Sequence, residues 1–130
     1  MLPLVDTIRV SLHIVAVCVW VGGQVVLAAL VPVLRDIGDG APKRVAQRFG
    51  QVSWPFFGLA VVTGIWSLLE LPSNTTIGYQ ITLGVKILLV VVSGGAAFVH
   101  TRTASPAVRG ATGGLGLLAA LAALVLGVRL

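Results

Sequence analysis

The sequence predicts an all-α membrane protein built as an antiparallel bundle of four transmembrane helices. Three observations lead there. The 130 residues are 57% hydrophobic and only 10% charged, with a mean hydropathy of +1.04, whereas soluble domains carry about 25% charged residues. Four apolar runs are each long enough to cross about 30 Å of hydrocarbon. The connections between them are short, which makes successive helices antiparallel neighbours. The expected spans are about 8–34, 51–71, 78–100 and 112–130, and they form a single domain over residues 1–130.

Charge fits the same reading. A net +5 would point to nucleic acid in a soluble protein, but membrane proteins collect basic residues in their cytoplasmic loops. The expected partner is therefore the lipid bilayer, with a homo-oligomer or a larger membrane complex as further possibilities and no nucleic acid. The single cysteine, Cys18, cannot form an intrachain disulfide and reads as a packing residue. The first apolar run exceeds the 7–15 residues of a signal-peptide core and lacks an A-x-A site, so it reads as a retained span.

Span one is expected to start at Asp6 or Thr7 as N-cap and to kink or end near Pro32. Gly38, Gly40 and Pro42 break the chain, and Pro42 suits the first turn of a new helix. Lys43, Arg44, Gln47 and Arg48 then form a basic face, read as a short interfacial turn ahead of span two. Span two carries Pro55 near its start. Residues 72–77 form a short uncharged loop, and residues 101–111 a basic one. Span four is almost free of polar interior residues, and Gly113, Gly114, Gly116 and Gly127 are expected to let helices approach closely.

Loop one holds Arg35, Lys43, Arg44 and Arg48, loop two no basic residue, and loop three Arg102 and Arg109. The positive-inside rule then puts loops 35–50 and 101–111 in the cytoplasm and both termini outside a multi-pass protein of the cell membrane. Arg9 and Arg129 lie at span ends, where long side chains reach water.

Polar residues inside the spans are the functional candidates, because polar groups in hydrocarbon are costly and usually have a role. At about 100° per residue, Arg9, His13, Trp20 and Gln24 fall within roughly 60° on span one, and Cys18 lies roughly 140° from His13. Thr63, Ser67 and Glu70 share a face of span two, and Thr82, Lys86, Ser93 and His100 a face of span three. The 1.5 Å rise places His13 about 8 Å and Lys86 about 12 Å below the outer ends of their spans. Arg9, Trp20, Gln24, Trp66, Glu70 and Lys86 are thus candidates to line a polar pocket around His13. Lys86 reads either as an ion-pair partner of Glu70 or as a site for an anionic group. His100 lies about 20–25 Å from His13 in depth, too far to share a metal whose ligands sit about 2 Å away. It reads as an interfacial histidine or as a second, inner site.

The stretch L-H-I-V-A-V-C-V-W-V-G-G resembles the first span of copper resistance D (CopD) membrane domains. Q-R-F-G-Q-V, T-G-I-W and G-Y-Q-I-T-L-G-V-K-I-L-L-V are similar to later motifs of that family, in the same order, and together cover most of residues 9–102. The resemblance implies a four-helix unit linked to copper uptake or tolerance, with copper binding or transport as its activity. His13 matches the family's first-span histidine, the implied metal ligand, and Lys86 its span-three lysine. The 130 residues include neither the periplasmic copper-binding domain sometimes attached to this unit nor a Met- or His-rich tract of the kind soft copper sites favour. His13, Trp20, Gly23 and Lys86 also fit the outline of HemJ-type protoporphyrinogen oxidases, small four-span proteins, which implies a haem b with His13 as axial ligand. A third reading is a small accessory subunit of a membrane complex. No P-loop, G-x-S-x-G or H-E-x-x-H motif is present, and enzymatic activity stays open: the copper and accessory readings make the chain a non-enzyme, and the HemJ-type reading makes it an oxidoreductase.

The orientation has a direct test: a thiol reagent applied from outside reaches a cysteine placed at Asn74 but not one placed at Pro42. The opposite labelling pattern inverts the orientation.

Overall fold

A computed structural model describes residues 1–130. Four helices make up most of the chain: α1 (Leu4–Ile37), α2 (Ala41–Leu69), α3 (Ile77–Arg102) and α4 (Pro106–Arg129). All four are long and apolar enough to cross a membrane, and there are no strands. Each outruns the span expected for it. At 1.5 Å per residue, the 34 residues of α1 extend about 51 Å and the 24 of α4 about 36 Å, against about 30 Å of hydrocarbon. The chain divides into two compact units, Met1–Leu71 and Pro72–Leu130, each an antiparallel helical hairpin.

In the first unit, α1 begins ahead of the expected Asp6 or Thr7. Pro3 takes the capping position, and its carbonyl accepts from the Thr7 amide at 2.9 Å and the Thr7 hydroxyl at 3.1 Å. Asp6 instead sits in the first turn, where negative charge complements the helix dipole.

A second departure is a π turn over Cys18–Gly22. Such a turn adds about one residue to the helix, so a regular 100° count drifts beyond it. The working face survives: Trp20 is buried and Arg9, His13 and Gln24 are partly buried, while Cys18 is exposed. Pro32 does not end α1, which continues through it to Ile37. Membrane helices tolerate proline where neighbouring groups satisfy the freed backbone.

The chain reverses at Gly38, Asp39 and Gly40, with φ of 70°, 52° and 69°. Three consecutive positive-φ residues are feasible here because two lack a Cβ and the third is a short polar residue. The Gly38 amide donates to Leu34 O at 3.2 Å, and the Ala41 amide donates to Gly38 O at 2.9 Å. Pro42 lies in the first turn of α2 as expected. Residues 43–50 are not a separate interfacial turn but continuous with span two, because a lone Gly50 is too weak a breaker to stop a helix. The extra turns carry Lys43, Arg44 and Arg48, all exposed.

In the second unit, both helices start at hydroxyl caps. Thr76 Oγ1 accepts from the Tyr79 amide at 3.2 Å, and Ser105 Oγ accepts from the Val108 amide at 3.4 Å. The Ser105–Pro106 pair starts α4 six residues before the expected 112, leaving only Thr103–Ser105 between the helices. The interface is built from small residues. A Cβ placed on Gly116 would lie 3.5 Å from Ala96 Cβ and 3.5 Å from Ser93 O, and Ala119, Ala120 and Ala123 are buried. Gly113 and Gly127 also admit side chains from α3, but Gly114 faces open space, so three of the four glycines serve close approach.

Burial runs opposite to that of a soluble protein. The most buried side chains are Ala16, Ser53, Thr63, Ser93 and Ala120, while Val62, Ile65 and Leu118 are 61%, 52% and 67% exposed. Small residues inside and large aliphatic residues outside are the signature of helices packed in lipid, where close backbone approach rather than exclusion of water drives association.

Gly116→Ala therefore leaves stability nearly unchanged, since the added methyl meets ordinary van der Waals contact. Gly116→Leu overpacks the α3–α4 interface and costs about 1–3 kcal/mol, read as a lowered unfolding midpoint in detergent.

Candidate functional site

The site is built around His13. It lies nine residues into α1, about 14 Å from the start of the helix, deeper than a start at residue 8 implied. Its Nδ1 is 2.8 Å from Thr63 Oγ1 on α2. Thr63 is 2% exposed, and its Oγ1 also lies 2.7 Å from Leu59 O and 3.1 Å from Ala60 O. One turn on, the Ser67 hydroxyl donates to Thr63 O at 3.0 Å. The imidazole rests over Gly64, where a Cβ would stand 3.7 Å from His13 Cε1. The Thr-Gly step of α2 thus supplies a hydroxyl to the ring and lies beside it.

Toward the loop end of the same unit, Trp20 packs on Phe57 and Trp54, with ring centroids 4.4 Å and 5.1 Å away. Trp54 and Phe57 meet edge-on at 5.5 Å. Gln24 Nε2 donates to Trp20 O at 3.0 Å, satisfying an amide within the apolar span. A Cβ on Gly23 would overlap the Phe49 ring, so the glycine pair after Trp20 lets Phe49 close against α1.

On the other side of His13, Arg9 Nη2 bonds Asp6 Oδ1 at 2.8 Å. Arg9 Nε is buried without a partner. Trp66 is half-buried on α2, and Glu70 is exposed just beyond its last turn. Lys86 belongs to the second unit, where its Nζ would stand 3.2 Å from a Cβ on Gly127.

His100 has a defined place at the end of α3. Its Nδ1 lies 2.7 Å from Arg109 O, and a carbonyl only accepts, so Nδ1 donates. Arg109 Nη2 in turn donates to Thr103 O at 2.9 Å, and the Arg102 guanidinium lies 5.0 Å over the Phe98 ring. His100 therefore ties the end of α3 to the first turn of α4, a bond between helices that the interfacial reading did not include.

Sequence reasoning found His13 and the polar face of α2 but did not join them. Thr63 was legible as a member of that face, and its role as the partner of His13 emerges only from the packing of α1 on α2. No group of three or more His, Cys, Asp or Glu side chains converges in a way that could hold a metal ion.

Four membrane-length helices with small interiors and aliphatic exteriors define a multi-pass membrane protein. Residues 43–130 match the family model described as copper resistance protein D. The match takes in more than half of the chain, and the chain belongs to that family. It includes the Gln47–Val52, Thr63–Trp66 and Gly78–Val90 stretches and the whole of α4. It leaves out residues 1–42, so the assignment of His13 rests on its own geometry and on the first-span resemblance. No curated protein and no solved structure matches the chain significantly.

Trp20→Ala removes the centre of the aromatic cluster and costs about 3–5 kcal/mol, measured as a fall in thermal stability in detergent. Trp20→Phe keeps ring contact and loses a smaller part of it.

Proposed function

We propose that this protein binds copper within the cytoplasmic membrane and passes it across, with His13 as the donor that receives the ion. Membership of the copper resistance protein D family supports copper as the cargo. The observation that carries the assignment to a residue is an imidazole about 14 Å along a membrane-spanning helix, anchored to the buried Thr63 at 2.8 Å. Imidazole is a suitable ligand for copper, and a histidine at this depth is costly without a role.

The lack of a three-ligand cluster fits passage better than storage. Conduction needs a site strong enough to accept an ion and weak enough to release it. A lone imidazole supported by hydroxyl and carbonyl oxygens is weaker than a closed three- or four-donor cage. Arg9, Trp20, Gln24, Trp66 and Glu70 are the candidates in the first unit to shape the surroundings of that donor. With both termini outside, His13 sits in the outer half of α1, and copper meets it from that side.

His13→Ala lowers copper bound by the purified protein at least about 10-fold, the lower limit for losing even an outer-shell partner of a metal ligand, whereas His100→Ala leaves it close to wild type. Unchanged copper binding in His13→Ala overturns the assignment. A Soret band that disappears in His13→Ala replaces copper with haem b.

A further inference from the structure

We infer that Thr63 is a positioning residue that holds His13 in the Nδ1–H form, making Nε2 the nitrogen that donates to a metal. The hydrogen-bond geometry assigns the protons. Thr63 has one hydroxyl proton and three neighbours: Leu59 O at 2.7 Å, Ala60 O at 3.1 Å and His13 Nδ1 at 2.8 Å. Two oxygens 2.7 Å apart repel unless a proton lies between them, and the Leu59 carbonyl has none to give. The Thr63 proton must therefore point back along its own helix, the usual behaviour of a buried helical threonine. That leaves only lone pairs facing His13, so Nδ1 must carry the hydrogen and donate.

The consequence reaches the metal chemistry. A neutral imidazole has one N–H and one lone pair, and the bond made by one nitrogen decides which is which. With Nδ1 committed to Thr63, the lone pair of a neutral His13 is on Nε2. Metal-bound histidines are commonly oriented in this way by an acceptor behind the ring, and loss of that acceptor lowers metal affinity by about 10–100-fold. Here the acceptor is a hydroxyl whose own direction is set by a backbone carbonyl one turn away, so the arrangement adds no charge to the membrane interior. Gly64 lies beside the ring, with room for a Cβ 3.7 Å from His13 Cε1.

The role of Nε2 rests on the proposed copper function, whereas the tautomer does not, and the experiment separates them. Nitrogen-15 spectra of the histidine-labelled chain in nanodiscs, with the His100 signal identified by its loss in His100→Gln, report the His13 tautomer without metal, and Cu(I) titration against a competing chelator reports affinity. The wild type shows the Nδ1–H form. Thr63→Ser keeps that spectrum and binds Cu(I) within about 2-fold of wild type, whereas Thr63→Val loses the preference and binds about 10-fold more weakly. A wild-type spectrum with hydrogen on Nε2 overturns the inference even if no variant folds. So does a Thr63→Val spectrum identical to wild type. The expected tautomer in wild type and its loss in Thr63→Val, with no Cu(I) bound by the wild type, uphold the role of Thr63 and overturn the copper reading instead.

Discussion

A polar side chain in hydrocarbon has no water to fall back on, and the rest of this structure follows from that constraint. Every unsatisfied group there costs several kcal/mol, so polar residues bond to the backbone of their own helix. Thr63 and Ser67 on α2, Thr82 on α3 and Gln24 on α1 each turn to a carbonyl about one turn back. These bonds make the spans self-sufficient, and the α3–α4 pair can then pack through alanine, glycine and serine rather than through a large hydrophobic core.

His13 is where that self-sufficiency gives way to a link between helices. An imidazole cannot fold back onto its own backbone as a hydroxyl does, and it reaches across to α2. The acceptor it meets is a threonine whose proton is already spent on its own helix. One local habit of a membrane threonine therefore fixes the chemistry of a histidine fifty residues away in the chain. The π turn that follows it carries Trp20, which is buried and packs on Trp54 and Phe57 toward the loop end of the same unit.

The second unit uses the same materials for a different purpose. His100 also bonds through Nδ1, but to a main-chain carbonyl, and the Arg109 side chain closes the turn from the opposite direction. The result is a three-residue connection that keeps α3 and α4 in close register along Gly113, Gly116 and Gly127. The two histidines of the chain thus play different parts, one beside a hydroxyl deep in a span and one at the seam of a turn.

Composition and hydropathy alone determined the four spans, their order and the candidate face of α1, because a membrane demands long apolar runs and makes each polar exception visible. Cap chemistry and turn glycines were legible too, at Pro42 and at Gly38–Gly40. Three things were not. The π turn has no reliable sequence signal, because hydropathy and 100° periodicity describe a regular helix and do not mark one extra residue within it. The extent of α2 through residues 43–50 depends on helix continuation beyond the hydrocarbon, where hydropathy ceases to mark the boundary. The union of His13 with Thr63 required the antiparallel register of α1 on α2, since a hydrogen bond between helices is set by rotation and depth together. Sequence supplied a histidine and a threonine on two polar faces, and only the packing brought them within 2.8 Å.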